Sequence, residues 1–396
     1  MSALADRIAR CVVDQYAKLP KRGKPAAKGT GPVKQEWTVL AGFVVENTQT
    51  QALTCVALGT GLKCQHRQQL SAFGDSVHDS HAEIIARRAL VVYLMGQLLE
   101  DPPQSIFAKQ HTFALHDHIR LHLYSSQCPC GDAAIESLQG TLGQHEQPPI
   151  KRRRTTIDTS VVRGHQGFDT LGALRLKPGR ADSIPTLSLS CSDKIARWNA
   201  LGVQGSLLAS LIAPVYIASM VIGDLYNHAS IDRALNRRTA AALADKELPG
   251  GYRANVCEIH PTAVQFERSQ TALTAANAEI TTADASIYWH QGAPSSAALV
   301  NGVKQGSKLA RGQCQKEKLR PAICKLSLLN QFIALSQRLR PELLIGSEHC
   351  SYRCIKRRSQ AYQQAKALLL DSEQFAGWTR CPSEYEAFDC SGSAVS

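Results

Sequence analysis

Between residues 37 and 138 the chain alternates two kinds of apolar run, and this alternation restricts the fold more than any other feature. WTVLAGFVV (Trp37 to Val45) is a compact apolar run, partly β-branched, which predicts a buried strand. TCVALGTG predicts a second strand and a turn. HAEIIARRALVVYLMGQLLE (His81 to Glu100) carries apolar residues at helical spacing, and Pro102-Pro103 ends it. IRLHLYSS (Ile119 to Ser126) predicts a third strand that runs straight into QCPCGDAAIESL, a turn opening a helix. Strand, helix, strand, helix in this order indicates an α/β sheet covered by helices.

The flanks are less regular. The first residues predict an amphipathic helix ending at Leu19-Pro20, then a basic Gly/Pro-rich loop over residues 21–35. Residues 139–170, with two prolines and the basic run Lys151 to Arg154, read as an exposed, mobile insertion. That run suits RNA or a nuclear-import receptor, although a solvated loop has the same composition. Residues 189–224 predict a helix, a Gly-containing turn, a second helix stopped at Pro214 and a strand from Val215 to Ile222. Beyond them, short strands at TAVQF and ASIYWHQG alternate with helices near 320–337 and 358–371.

Composition narrows the class. No run of 18 apolar residues predicts a transmembrane helix, and the start has no secretory pattern. Thirteen scattered cysteines, an odd number, favour reduced thiols in cytoplasm or nucleus, some of them metal ligands. A net charge of +12 and a pI near 9.1 suit a polyanionic partner, nucleic acid first.

The chemistry concentrates at helix starts. His81 and Glu83 open one helix, and Pro129-Cys130-Gly131-Asp132 opens the next. Zinc nucleobase deaminases pair an H-x-E segment with a later P-C-x-x-C segment. His81-Ala82-Glu83 matches the first, but position 133 is Ala, so a third ligand must come from elsewhere. Cys128 is one candidate, with poor geometry on a tight turn; Cys191, at the start of another helix, is a better one. H-x-E and P-C-G are each weak alone, and a lone Cys is commonly a small buried hydrophobe. LRLKPGRAD, with its Pro-Gly turn, places Lys177 and Arg180 on a surface loop suited to RNA phosphates, or simply on a solvated turn. Arg87 and Arg88 lie on the apolar helix behind Glu83, and Lys194 and Arg197 follow Cys191 at helical spacing. Either these cations snorkel to solvent or an anion is buried among them.

Three separated motifs, HDSHAEIIARR, CPCGDA and SCSDKIARWNALGVQGSL, occur in the order found in RNA adenosine deaminases. With LPKRGKP, EWTVLAGFVV, LRLKPGRAD and the C-terminal AYQQAK and GW segments, the chain resembles the tRNA-specific adenosine deaminase 1 family over nearly its whole length. The resemblance implies one domain over residues 1–396. Its fold would be α/β, a zinc-dependent cytidine-deaminase-like core (a mixed sheet flanked by helices) elaborated with C-terminal helices and strands around a buried polyanion. It implies conversion of adenosine 37 to inosine beside the anticodon of alanine tRNA, by a monomer with no membrane attachment. His81, Cys130 and Cys191 would hold zinc, and Glu83 would shuttle protons. The polyanion would be inositol hexakisphosphate. Matching positions are Ile84, Arg87, Arg88, Ser188, Lys194 and Arg197, then Trp198, Gly205 and Ser206. From the C-terminal part they are Lys325, Tyr352, Lys356, Tyr362, Lys366 and Trp378. Asp79 and Lys194 would link the anion to the zinc centre. Departures from the pattern are His78 for Asn, Cys128 for Ser or Thr, Arg380 for an acid and Cys381 for Lys. Two other readings are an editing enzyme of messenger or double-stranded RNA and a non-catalytic RNA-binding protein with a structural zinc. With only about 35 residues before the first strand, a preceding double-stranded-RNA-binding domain is not expected; a structural zinc usually takes four Cys or His ligands.

Overall fold

The computed structural model describes residues 3–28, 34–100, 104–109, 112–141, 161–163, 169–178, 183–309, 312–346 and 350–395. Its centre is a mixed sheet of eight strands in the order 258–261, 219–224, 119–127, 40–47, 52–60, 285–290, 297–300 and 303–304. Strand 219–224 runs parallel to both neighbours; the rest of the sheet is antiparallel.

Each face of the sheet carries its own apolar layer, as period-two side-chain alternation requires. In strand Leu40–Asn47, Leu40 and Val44 pack with helix α1 (Ala3–Lys18) through Ile8 and Val12, while Ala41, Phe43 and Val45 face the opposite layer. On that second face lies α2 (Ala82–Gln97), which buries Ile85, Ala86, Leu90, Val91 and Leu94 among others. A helix apolar on most sides belongs in an interior. It sits unusually close to the sheet: a Cβ at Gly59 would fall 2.4 Å from a methyl of Ile85. Burying a side chain such as Ile85 or Leu90 contributes roughly 1.5–3 kcal/mol, so this face anchors α2 and with it the residues at its start.

Two further helices begin at the same end of the molecule, α3 (Ile135–Thr141) and α4 (Cys191–Leu201). Several expectations shift. Trp37 belongs to a separate strand, Lys34–Trp37, which pairs with Ile280–Thr282, and the central strand starts at Leu40. The strand expected from Val215 begins at Ser219, where pairing with His122 starts. TAVQF forms no strand; the strand precedes it, at Glu258–Pro261. Within the expected insertion, residues 142–160, including the Lys151 to Arg154 run, and 164–168 lie outside the described residues.

Candidate active site

His81 ends the short strand Asp79–His81 and serves as the N-cap of α2. Its side chain makes no capping bond, which leaves the imidazole available. Glu83 follows in the first helical turn, buried. Cys130 stands on the turn before α3. Gly131 beside it has φ +107°, and a Cβ there would lie 2.1 Å from Ser190 Oγ, so only glycine lets this turn meet the start of α4. Ser190 caps α4 by accepting from the Asp193 amide, and Cys191 is the first helical residue.

These three helix approaches bring one donor atom each from His81, Cys130 and Cys191 to within 4.8 Å of one another. Cys130 Sγ lies 3.8 Å from His81 Nδ1 and accepts the Cys191 N–H at 3.3 Å, a helix N-terminus facing sulfur. The bond with Cys191, then nearby Lys177 and His81, hold the Cys130 thiol well below its ordinary range, while burial pushes Cys191 up. Glu83 Oε2 lies 3.2 Å from Cys191 Sγ, and burial raises its carboxyl. One imidazole and two cysteine sulfurs, with a carboxylate alongside and no fourth Cys or His among the described residues, fit a catalytic zinc site. Cys128 is not part of the cluster: its Sγ is turned to the Ala133 carbonyl at 3.4 Å. Of the two candidate cysteines, Cys191 is the one whose sulfur lies with His81 and Cys130.

Lys177 requires a correction. It was expected at an RNA-facing surface, but its side chain is 3% exposed. Its ammonium donates to both oxygens of Asp79, at 2.8 and 3.1 Å, and to Cys191 Sγ at 3.2 Å. Burial alone would lower this lysine, but Asp79 and the neighbouring thiols raise it well above its usual value. Arg180, its expected partner in RNA contact, lies outside the described residues. Asp79 also accepts from Ser188 at 2.7 Å and from Lys194. A continuous polar path therefore runs from Lys194 through Asp79 and Lys177 to Cys191. The expected linkers Asp79 and Lys194 are in place on it. Lys177, the step that reaches sulfur, was missed because a Lys-Pro-Gly sequence looks like a surface turn.

Lys194 opens onto a cavity of about 480 Å³. Among the described residues, seven cations line it, Lys194, Arg197, Arg353, Lys356, Arg357, Lys366 and Arg380, against one carboxylate, Glu386. Ser188 and Trp378 also line it, with the Arg197 guanidinium 4.7 Å from the Trp378 ring centre. A second lobe of about 250 Å³ shares Lys194, Arg197 and Glu386 and adds Ile84, Arg87, Arg88, Trp198 and Lys325. The remaining expected positions stand behind these walls. A Cβ at Gly205 would collide with Arg87 Nη2, Ser206 Oγ donates to the Lys356 carbonyl at 2.7 Å, and Lys356 lies 4.9 Å from the Tyr352 ring centre. Tyr362 packs edge-on against Tyr252. Arg87 and Arg88 are half-buried and line the second lobe, their Nε atoms donating to the carbonyls of Val203 and Ile323. Burial lowers Arg87 to about 10. His78 lines the second lobe, edge-on to Tyr385, and burial keeps it well below its usual value. Arg380 and Cys381, two of the departures, both line the cavity. Arg353, Arg357 and Glu386 were not anticipated; helical spacing from Lys356 offered a faint signal for the first two and none for Glu386.

The sequence matches the adenosine-deaminase (editase) domain over residues 57–382. It is 32% identical to a fruit-fly protein named tRNA-specific adenosine deaminase 1, over 96% of each chain. A fission-yeast protein of the same name is 30% identical over 86% of this chain and 88% of its own length. The fruit-fly double-stranded RNA-specific editase Adar is 33% identical, but over 63% of this chain and 37% of its own.

Proposed function

The chain belongs to the adenosine-deaminase (editase) domain family, and on that premise we propose that its substrate is tRNA, with adenosine 37 of alanine tRNA as the position converted to inosine. The near-complete span shared with the tRNA-specific relatives carries this reading, since the double-stranded-RNA editases are matched over only about a third to a half of their own length. The basic balance of the chain supports a polyanionic substrate. Three Cys or His donors, with no fourth beside them among the described residues, argue for catalysis over a structural zinc.

His81, Cys130 and Cys191 would hold zinc, which when bound supplies Lewis acidity and lowers the pKa of water towards neutrality. Glu83 is the proton carrier. Its carboxylate sits beside the ligand cluster but is not needed as a ligand, and its raised affinity for protons suits a group that must both take and give them. It takes the proton of the attacking water and passes it to N1 of adenine as C6 becomes tetrahedral; it then takes the proton of the new C6 hydroxyl, which becomes the carbonyl, and gives it to the departing ammonia. The target base must leave its stack, a cost of a few kcal/mol that is smallest in a loop, where bases are already partly unpaired.

Inositol hexakisphosphate is our proposal for the occupant of the basic cavity. Seven cations facing one carboxylate are unfavourable without an anion, and one bearing several phosphates could meet them together. Its role would be structural, with Lys194 and Asp79 tying it to the metal side. The reduced thiols support action in cytoplasm or nucleus, and we propose a monomer. No helix among the described residues is long and apolar enough to cross a membrane. The deciding experiment incubates pure protein with total tRNA and maps inosine by sequencing. A-to-I conversion beside the alanine anticodon is expected. Conversion only in duplex RNA would overturn the substrate, and no conversion anywhere would overturn the activity.

A further inference from the structure

The two cysteine ligands are followed, at equal spacing, by acids: Cys130-Gly131-Asp132 and Cys191-Ser192-Asp193. Both aspartates are fully buried and face one buried arginine, Arg238. Its two terminal nitrogens divide between them. Nη1 donates to Asp193 Oδ1, and Nη2 donates to Asp132 Oδ2 at 3.2 Å. The other carboxylate oxygens are taken. Asp193 Oδ2 accepts from Ser190 Oγ at 2.6 Å and the Arg175 N–H at 3.0 Å; Asp132 Oδ1 accepts the Gly172 N–H at 2.8 Å. We infer that Arg238 is a positioning residue that fixes the separation of the Cys130 and Cys191 sulfurs by holding both ligand-bearing turns in one guanidinium fork.

The backbone around Arg238 is shaped for this. Residues Arg233–Arg237 form a π-helical turn, and the Arg238 N–H donates to the Arg233 carbonyl five residues back. The widened turn places Arg233 and Arg238 on the same side, and Arg233 Nε also reaches Asp132 Oδ2, at 3.2 Å. Such turns are uncommon and recur at functional sites. Burying this network is expensive, and well-packed apolar side chains are often no less stable, so its retention argues for registration rather than for stability. A rigid planar fork can span two carboxylates at a set distance, whereas a lysine ammonium is a point charge on a flexible stem.

This inference rests on the proposed metal reading, and the test separates the two. Wild type, Arg238→Lys, Asp132→Asn and Arg237→Ala are loaded with Co²⁺ in place of Zn²⁺, and absorption spectra, Zn²⁺ affinity and kinetics on tRNA are compared. Thiolate-to-cobalt charge transfer in the wild type is the expected sign of the site, and its absence would sink the metal reading before any variant is considered. Removing an outer partner of a metal ligand lowers metal affinity about 10- to 100-fold. Arg238→Lys and Asp132→Asn should show that loss, altered cobalt d–d bands, and a lower kcat with KM for tRNA unchanged. Arg237→Ala, on the same turn but exposed and paired with Asp232 instead, should match wild type in zinc affinity, cobalt bands and kcat. If Arg238→Lys does not fold, the isosteric Asp132→Asn decides alone. Folded Arg238→Lys or Asp132→Asn protein with wild-type zinc affinity and cobalt spectrum, whatever its melting temperature, would overturn the role.

Discussion

The ligand cluster and the basic cavity share Lys194 yet are built on opposite electrostatic plans. Around the cluster, charge is matched inside the protein: Asp79 lies between Lys177 and Lys194, and Asp132 and Asp193 flank Arg238. Around the cavity it is not: among the described residues Glu386 stands alone against seven cations, although it meets Lys356 at 2.7 Å and Lys325 at 3.6 Å. A matched network can be held rigidly by the chain itself. An unmatched one repels itself, and its geometry is completed only by something that brings negative charge. The first is suited to chemistry that needs fixed distances, the second to retention of a ligand.

The largest effect should come from the matched side. Glu83→Gln removes the proton carrier and leaves the three donors, so inosine formation should fall by about 10²- to 10⁴-fold or more while zinc stays bound. Cys191→Ala should lose zinc and activity together, whereas Cys128→Ser should keep both, since Cys128 points away from the cluster. Elemental analysis beside an inosine assay checks all three. Zinc lost from Cys128→Ser and kept in Cys191→Ala would reassign the site.

The unmatched side should fail differently, through folding. Protein made in cells unable to synthesise inositol phosphates should be insoluble or inactive, and adding the hexakisphosphate during refolding should raise the melting temperature. At a hundredfold excess over the dissociation constant, binding to the folded state alone contributes about 2.7 kcal/mol. Fully active protein from such cells, with no inositol phosphate released on denaturation, would remove the contrast.

How much of this was legible in the chain follows from which contacts are local. Strand and helix periodicity gave α1, α2 and the sheet strands 40–47, 52–60 and 119–127 to within a few residues, because each element's apolar pattern is its own. His81, Cys130 and Cys191 were visible because they are tied to helix starts. Strand 219–224 began late because pairing with residues 122–127 sets its start, and no local run encodes a partner. Lys177 was misplaced for a similar reason. A Lys before Pro-Gly looks solvated until Asp79, 98 residues away, closes over it.

That lysine gives the third test, of intermediate size. As a surface contact, Lys177→Ala would weaken tRNA binding and flatten its salt dependence. As the buried link between Asp79 and Cys191, it should instead lower turnover and stability, with tRNA affinity and salt slope unchanged. Removing one partner of a buried pair costs about 3–5 kcal/mol, so a large drop in melting temperature is expected. A stable variant with a reduced salt slope would return Lys177 to the RNA surface.

The smallest effect is a pH signature confined to the unmatched side. Burial, then Arg197 and Lys356, lowers Lys366 from its ordinary value to about 8. In the anion-free protein the folded state therefore binds fewer protons than the unfolded chain between about pH 8 and the usual lysine range, so this group's contribution to stability rises with pH across that window. An anion in the cavity reverses the preference, because phosphate beside Lys366 favours the ammonium. Below about pH 8 the lysine is already charged. Above it the anion must first recruit a proton, so affinity should fall as pH rises, by at most tenfold per unit for this single group. Calorimetric titration with inositol hexakisphosphate at pH 7 and pH 9 should show weaker binding and net proton uptake at the higher pH. Lys366→Met should remove the proton uptake attributable to this residue, leaving any pH change in the phosphates themselves. The same pH dependence in Lys366→Met as in wild type would assign the titration elsewhere in the cavity and leave Lys366 a spectator among its cations.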